Sequence, residues 1–144
     1  MMEDLLQSAL EARERSHAPY SRFKVGAAVR CASGRVFTGS NVESSSYGLT
    51  ICAERLAICI AMHEGEQEIT EIAVVADTQG APGPCGACRQ FMYDFAPKAD
   101  VLMGNLKGDR RRVSVGELIP WGFGPDDLAA FGPQATPKDD TTVG

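Results

Sequence analysis

The chain has 144 residues, 44% hydrophobic and 23% charged, with a formal net charge of -5 at pH 7. That is enough for one core, too ordinary for a disordered or fibrous chain, and of the wrong sign for a polyanion. The longest apolar runs, such as Ile58 to Met62, fall far short of the roughly 20 residues that cross a bilayer, and the acidic start Met1-Met2-Glu3-Asp4 lacks a signal peptide's basic and apolar parts. A cytoplasmic protein is expected, with neither a membrane nor a nucleic acid polymer as partner. The five cysteines, Cys31, Cys52, Cys59, Cys85 and Cys88, are an odd number without a secretory signal, which favours metal or catalytic use over a disulfide framework.

Leu5, Leu6, Ala9 and Leu10 recur at helical spacing, between Glu3 and Asp4 at one end and Arg13 and Arg15 at the other. The charges match the helix dipole, so residues 2–16 are predicted as an amphipathic helix. Phe23, Val25, Ala27, Val29 and Cys31 alternate with Lys24, Gly26, Ala28 and Arg30, the period of a half-buried strand, and an Ala32-Ser33-Gly34 turn leads into Val36-Phe37-Thr38 to complete a hairpin. Thr50 is placed to cap a second helix over about 52–63, with Leu56, Cys59, Ile60 and Met62 as its apolar face and Gly65 as its stop. A strand over 72–76 follows. Pro84 then opens a third helix at its first turn, running to about Phe95. Strands are expected over 101–103 and 112–115, and an irregular Pro-, Gly- and Asp-rich stretch from Pro120 onward. A hairpin followed by strands separated by helices predicts a three-layer α/β/α sandwich around a mixed sheet of about five strands, with the strand order open. Residues 1–128 form the catalytic domain in this reading and 129–144 a loosely held polar tail.

Cys85-Gly-Ala-Cys88 places two thiols one helical turn apart at a helix start, where the dipole favours thiolate. Cys52 also stands at a helix start. Three converging thiolates would form a zinc site, and with only three ligands evident, and His17 and His63 at no ligand spacing, an open catalytic site is the better reading. Glu54, two residues past Cys52, shares that site only around the helix's N-terminal end, where a carboxylate can shuttle protons for a water acidified by the metal. Three thiolates over-neutralise Zn²⁺, so a nearby cation would help restore its Lewis acidity, and Arg55 is the candidate.

Cys52-Ala-Glu54 with Pro84-Cys85-Gly-Ala-Cys88 fits the three-cysteine form of the zinc deaminase signature. Further matches are Tyr20-Ser-Arg-Phe23-Lys-Val-Gly-Ala-Ala28, Asn41-Val-Glu43, Tyr47-Gly-Leu-Thr-Ile-Cys-Ala-Glu-Arg55, Pro84-Cys-Gly-Ala-Cys-Arg-Gln90 and Leu118-Ile-Pro-Trp-Gly-Phe123. In these segments the chain resembles the small, homotetrameric cytidine deaminases, over roughly residues 5–128. The resemblance implies one Zn²⁺ per chain on Cys52, Cys85 and Cys88, Glu54 as proton shuttle and Arg55 hydrogen-bonded to the thiolates. It further implies Asn41 and Glu43 on the ribose 3'-hydroxyl, the Ala53 backbone on the base, and Phe23 against the pyrimidine ring. Phe123 would stack on the base in a neighbouring subunit's site. Ser44 to Ser46, Asp94 and Trp121 depart from the usual family residues, the serines bordering the nucleoside pocket and Trp121 lying near Phe123.

Taken singly, these residues have plainer readings. Cysteine is among the most buried residue types, and Cys31 and Cys59 fit a core role on a strand's and a helix's apolar face. Asn41 and Glu43 would be an ordinary loop pair, Phe23 and Phe123 core aromatics, and Arg55 a solvated helix residue. Together the set predicts hydrolytic deamination of a free nucleoside, cytidine or 2'-deoxycytidine, to the uracil nucleoside and ammonia. The alternatives are another cytosine-bearing nucleoside such as blasticidin S, or a non-catalytic zinc module binding RNA or a protein. The last would need a fourth protein ligand and no role for Glu54.

Overall fold

The computed structural model describes residues 2–129. The expected tail, 129–144, therefore lies outside the described residues except for Ala129. The chain begins with helix α1 (Met2–Arg13), which ends earlier than its charge pattern suggested. Past Arg13 the amides of Arg15 and Ser16 bond back only three residues, to Ala12 and Arg13, tightening the chain out of the helix. Strands β1 (Val25–Cys31) and β2 (Val36–Ser40) form the expected hairpin, with Gly34 at φ +90° in the turn, a conformation that glycine adopts without steric cost.

A 3₁₀ turn (Tyr47–Leu49) leads to helix α2 (Ala53–His63), then strand β3 (Ile69–Ala76), helix α3 (Gly86–Phe95) and strands β4 (Asp100–Gly104) and β5 (Arg110–Ser114). Two short helices close the described chain. In α4 (Val115–Leu118) Ser114 and Glu117 cap each other reciprocally, and α5 (Pro125–Ala129) follows inside the stretch expected to be irregular. No helix among the described residues is long and apolar enough to cross a membrane.

The five strands form one mixed sheet in the order β2-β1-β3-β4-β5, in which only β3 and β4 run parallel. Alternation sorts the side chains into two layers. Ala28, Ala73, Val75 and Leu102 face α1, which buries Met2, Leu5, Leu6 and Ala9 against them. Each fully buried leucine there contributes about 1.5–3 kcal/mol relative to exposure. Ala27, Val29, Ile72, Val74, Val101 and Met103 face the other way, against α2, α3 and α4. This is the three-layer sandwich expected.

Helix α2 corrects its expected face. It buries Ala53, Glu54, Ala57, Ile58 and Ala61, while Leu56 and Ile60 are only half-buried and Cys59 and Met62 are exposed. The reason is close approach. A Cβ on Gly39 of β2 would stand 2.6 Å from the Ala53 carbonyl oxygen and 2.7 Å from the Ala57 nitrogen, so the helix backbone lies directly on the strand at this point. Cys59 and Met62 are turned outward, whereas Ile58 is fully buried. Cys59 is thus no core residue, whereas Cys31 is, at 2% exposure.

Candidate active site

Sheet register assembles the site. Val25 pairs with Ala76 and Gly26 with Ser40, so the start of β1 and the ends of β2 and β3 share one rim. Because β3 and β4 are parallel, α3 is the crossover between them and starts at the carboxyl end of β3, where α/β sheets collect ligands. Helix α2 starts beside it. A cavity of about 380 Å³ opens there, with Phe23, Asn41, Glu43, Cys52, Glu54 and Cys85 in its wall.

Both helices begin with a cysteine. Cys52, not Thr50, is the N-cap of α2, and Cys85 is the N-cap of α3, its Sγ accepting the Cys88 N–H at 3.4 Å. Thr50 instead ends the 3₁₀ turn, and its hydroxyl accepts the Ser44 amide. Pro84 precedes the α3 cap rather than occupying its first turn, because Cys85 takes the capping position. The Sγ atoms of Cys52, Cys85 and Cys88 lie within 4.8 Å of one another, the first two 3.9 Å apart. Among the described residues no other three His, Cys, Asp or Glu gather in this way.

Two positive helix ends therefore meet at three sulfurs, which favours thiolate. The Cys52 thiol is pulled down to about 5 by a hydrogen bond from Cys88, against burial and with help from Arg55. Cys88, the donor and fully buried, is pushed far up in turn. Arg55 Nη2 reaches Cys52 Sγ at 3.5 Å and the Thr50 carbonyl at 3.2 Å, while its buried Nε has no hydrogen-bond partner among the described residues. Three soft donors, with a cation already pointed at them and a cavity on the open side, suit Zn²⁺ with one position left for a non-protein ligand. Glu54 sits in the first turn of α2 at 4% exposure. Burial, with the charge of Cys52 adding to it, pushes its carboxyl up to about 7.

Of the residues assigned to substrate, Phe23, Asn41, Glu43 and Ala53 are brought to the cavity wall. Phe23 lies just outside β1, because the Asn41 side chain takes the backbone groups on either side of Lys24. Asn41 Nδ2 donates to the Phe23 carbonyl at 2.7 Å, and its Oδ1 accepts the Val25 N–H at 2.9 Å. Glu43 Oε1 accepts the Tyr20 and Ser21 amides at 3.0 and 3.1 Å, and Oε2 accepts the Ser21 hydroxyl. These bonds, the Ser21 hydroxyl first, hold its carboxyl below the usual range. Phe123 is not brought to this chain's cavity. It stands 58% exposed, with its carbonyl held by Gln90 Nε2 at 2.7 Å.

Two residues of the site escaped sequence reasoning. Ser21 lies in the matched segment from Tyr20 to Ala28 but was given no role there, since serine is common in loops. Arg89 fastens the cysteine loop, donating from Nε to the Pro84 carbonyl at 2.8 Å and from Nη1 to the Leu118 carbonyl at 3.1 Å.

Comparison with known proteins agrees with this geometry. The family model described as "Cytidine and deoxycytidylate deaminase zinc-binding region" matches residues 1–104. The chain belongs to this family. A cytidine deaminase of Halalkalibacterium halodurans is 48% identical over 125 residues, covering 86% of this chain and 95% of that relative. One of Sporosarcina psychrophila is 42% identical over 129 residues, covering 89% and 95%. Among solved structures, a cytidine deaminase from Burkholderia pseudomallei superposes with a TM-score of 0.84 at 46% identity, over 85% of this chain and 99% of that one. The zinc-binding character of the family fits the donor set of three thiols, one ion per chain.

Proposed function

We propose that the protein is a zinc-dependent cytidine deaminase, converting cytidine and 2'-deoxycytidine with water to uridine or 2'-deoxyuridine and ammonia. The observation that carries this reading is the buried Glu54 carboxyl beside the Cys52, Cys85 and Cys88 thiols at one end of a nucleoside-sized cavity. Zinc, held by the three cysteines, would acidify water and polarise it toward C4 of the base. The residues of the chain do the rest. Glu54 accepts a proton from the attacking water, delivers it to N3, and carries a second to the departing amine. Burial raises this carboxyl above its usual range, which favours its taking up a proton. Arg55 tempers the charge of the thiolates by donating to Cys52. Phe23 presents its ring to the pyrimidine, the Ala53 backbone contacts the base, and Asn41 and Glu43 take the ribose 3'-hydroxyl.

The working unit in this proposal is a cytoplasmic homotetramer with composite sites, each chain contributing one catalytic domain over 1–128 and Phe123 to a neighbour. Support comes from Phe123 being exposed and absent from the wall of its own cavity, and from the apolar groups left outward. These include Tyr47 at 74% exposure, Leu49 at 69% and Met62 on the outer side of α2. Exposed apolar patches of this kind mark interaction surfaces.

The deciding experiment is a spectrophotometric assay of cytidine, 2'-deoxycytidine, cytosine and blasticidin S with the purified protein. Turnover of both nucleosides with little of the free base is expected. Equal turnover of cytosine, or preference for blasticidin S, would overturn the assignment.

A further inference from the structure

Glu43 does not hold its own orientation. Its carboxylate is gripped by the segment Tyr20 to Phe23, and Ser21 makes two of the three grips. The Ser21 amide donates to Oε1 at 3.1 Å, and the Ser21 hydroxyl donates to Oε2. That hydroxyl also accepts the Phe23 N–H at 3.0 Å. The second bond fixes the direction of the first. With one lone pair of Oγ occupied by the Phe23 amide, the hydroxyl proton is aimed at Glu43. Arg22, at φ +59°, turns the backbone so that Ser21 can face Glu43 while Phe23 turns to the cavity.

The arrangement saturates one carboxylate oxygen and leaves capacity on the other. Oε1 accepts two backbone amides, whereas Oε2 accepts the single Ser21 hydroxyl and retains a lone pair. Both Ser21 and Glu43 line the cavity. From this we infer that Ser21 is a positioning residue for sugar recognition. It locks the Glu43 carboxylate in the rotamer that presents Oε2 to a substrate hydroxyl, and ties that rotamer to Phe23, so that sugar and base contacts are set by one side chain. The inference rests on the reading that Glu43 receives the 3'-hydroxyl.

The test compares 2'-deoxycytidine with 2',3'-dideoxycytidine, which differ only at that hydroxyl, on the zinc-loaded enzyme. In Ser21→Ala the KM advantage of 2'-deoxycytidine over the dideoxy compound should shrink about 3- to 10-fold, the scale of one hydrogen bond. Ser21→Thr, which keeps the hydroxyl, should restore it. A merely structural role, acting through the Phe23 loop, would raise KM for both nucleosides by the same factor, and that result overturns the inference. Glu43→Gln is the control for the underlying reading. If Glu43→Gln narrows the gap between the two nucleosides and Ser21→Ala does not, Glu43 reads the sugar without Ser21 and only the inference falls. If Glu43→Gln leaves the gap intact, the sugar reading falls and the inference with it.

Discussion

Cys85 Sγ accepts the backbone N–H of Cys88, so the first thiol of the pair caps the helix that carries the second. A ligand that is also an N-cap has two separable contributions, and serine replaces one of them. Cys85→Ser and Cys85→Ala should both lose zinc and activity, but in chelator the serine variant should be more stable by about 1 kcal/mol, the usual worth of an N-cap. Thermal unfolding of both variants with metal analysis measures this. Equal melting temperatures would show that the thiol does not act as a cap, and stoichiometric zinc in Cys88→Ala would place the metal elsewhere.

Glu54→Gln preserves the shape of the buried side chain and removes its proton affinity. Zinc content should stay near one per chain while turnover falls at least about 10²-fold, the scale of lost general acid-base catalysis. Stopped-time assays alongside metal analysis test both halves. A variant with near-native turnover would leave Glu54 without a shuttle role.

Phe123→Ala should raise KM for cytidine about 5- to 150-fold, by analogy with base-aromatic stacking of roughly 1–3 kcal/mol. Because Phe123 is absent from the wall of its own cavity, Glu54→Gln and Phe123→Ala chains mixed under subunit exchange should regenerate sites with both native groups. Exchange without recovered activity would reject the composite site and leave the thiol chemistry standing.

Cys31 supplies a pH dependence remote from the site. Burial, with Glu66 adding to it, pushes its thiol from the usual 9.0 up to about 11. The folded chain keeps a proton there that the unfolded chain releases, so stability is intact below pH 9 and declines as pH rises toward 11. The slope in that window approaches 1.4 kcal/mol per unit at most, roughly one proton's worth. Urea unfolding at pH 8 and pH 10.5 should show a larger loss for the native chain than for Cys31→Val. Parallel losses would assign the alkaline sensitivity to other groups.

The parts of this molecule visible in the sequence are those where chemistry demands a residue type at a fixed offset. The meeting of Cys52, Cys85 and Cys88 was legible because a metal needs soft donors, and β1 was legible as a strand but not in its burial: alternation suggested one buried face, yet Gly26, Ala27, Ala28 and Val29 are all buried because α1 covers the second face. The packing face of α2 was not legible. Hydrophobicity pointed to Leu56, Cys59, Ile60 and Met62, but the helix backbone lies directly on the strand at Gly39, beside the small residues Ala53 and Ala57. A pattern rule that weighs apolar size misreads a helix selected for closeness. The cap of α2 was misplaced for a related reason. Threonine is the better capping residue in general, yet here Thr50 is spent on the Ser44 amide and Cys52 takes the position. Ser21 stood in a matched segment without a role, since its bond to Glu43 exists only once residues 22 positions apart in the chain are brought together.

The sulfurs of Cys52 and Cys85 are neighbours in space but 33 residues apart along the chain. Any ion held by both closes a ring that encloses the whole of α2 and of β3, the central strand of the sheet. Treated as a covalent cross-link would be, closing a ring of that length restricts the unfolded chain by about 3 to 4 kcal/mol. The ion is then a topological staple as well as a reagent. A chelator acts on such a protein as a reductant acts on a disulfide-bonded one, loosening the chain it never touches.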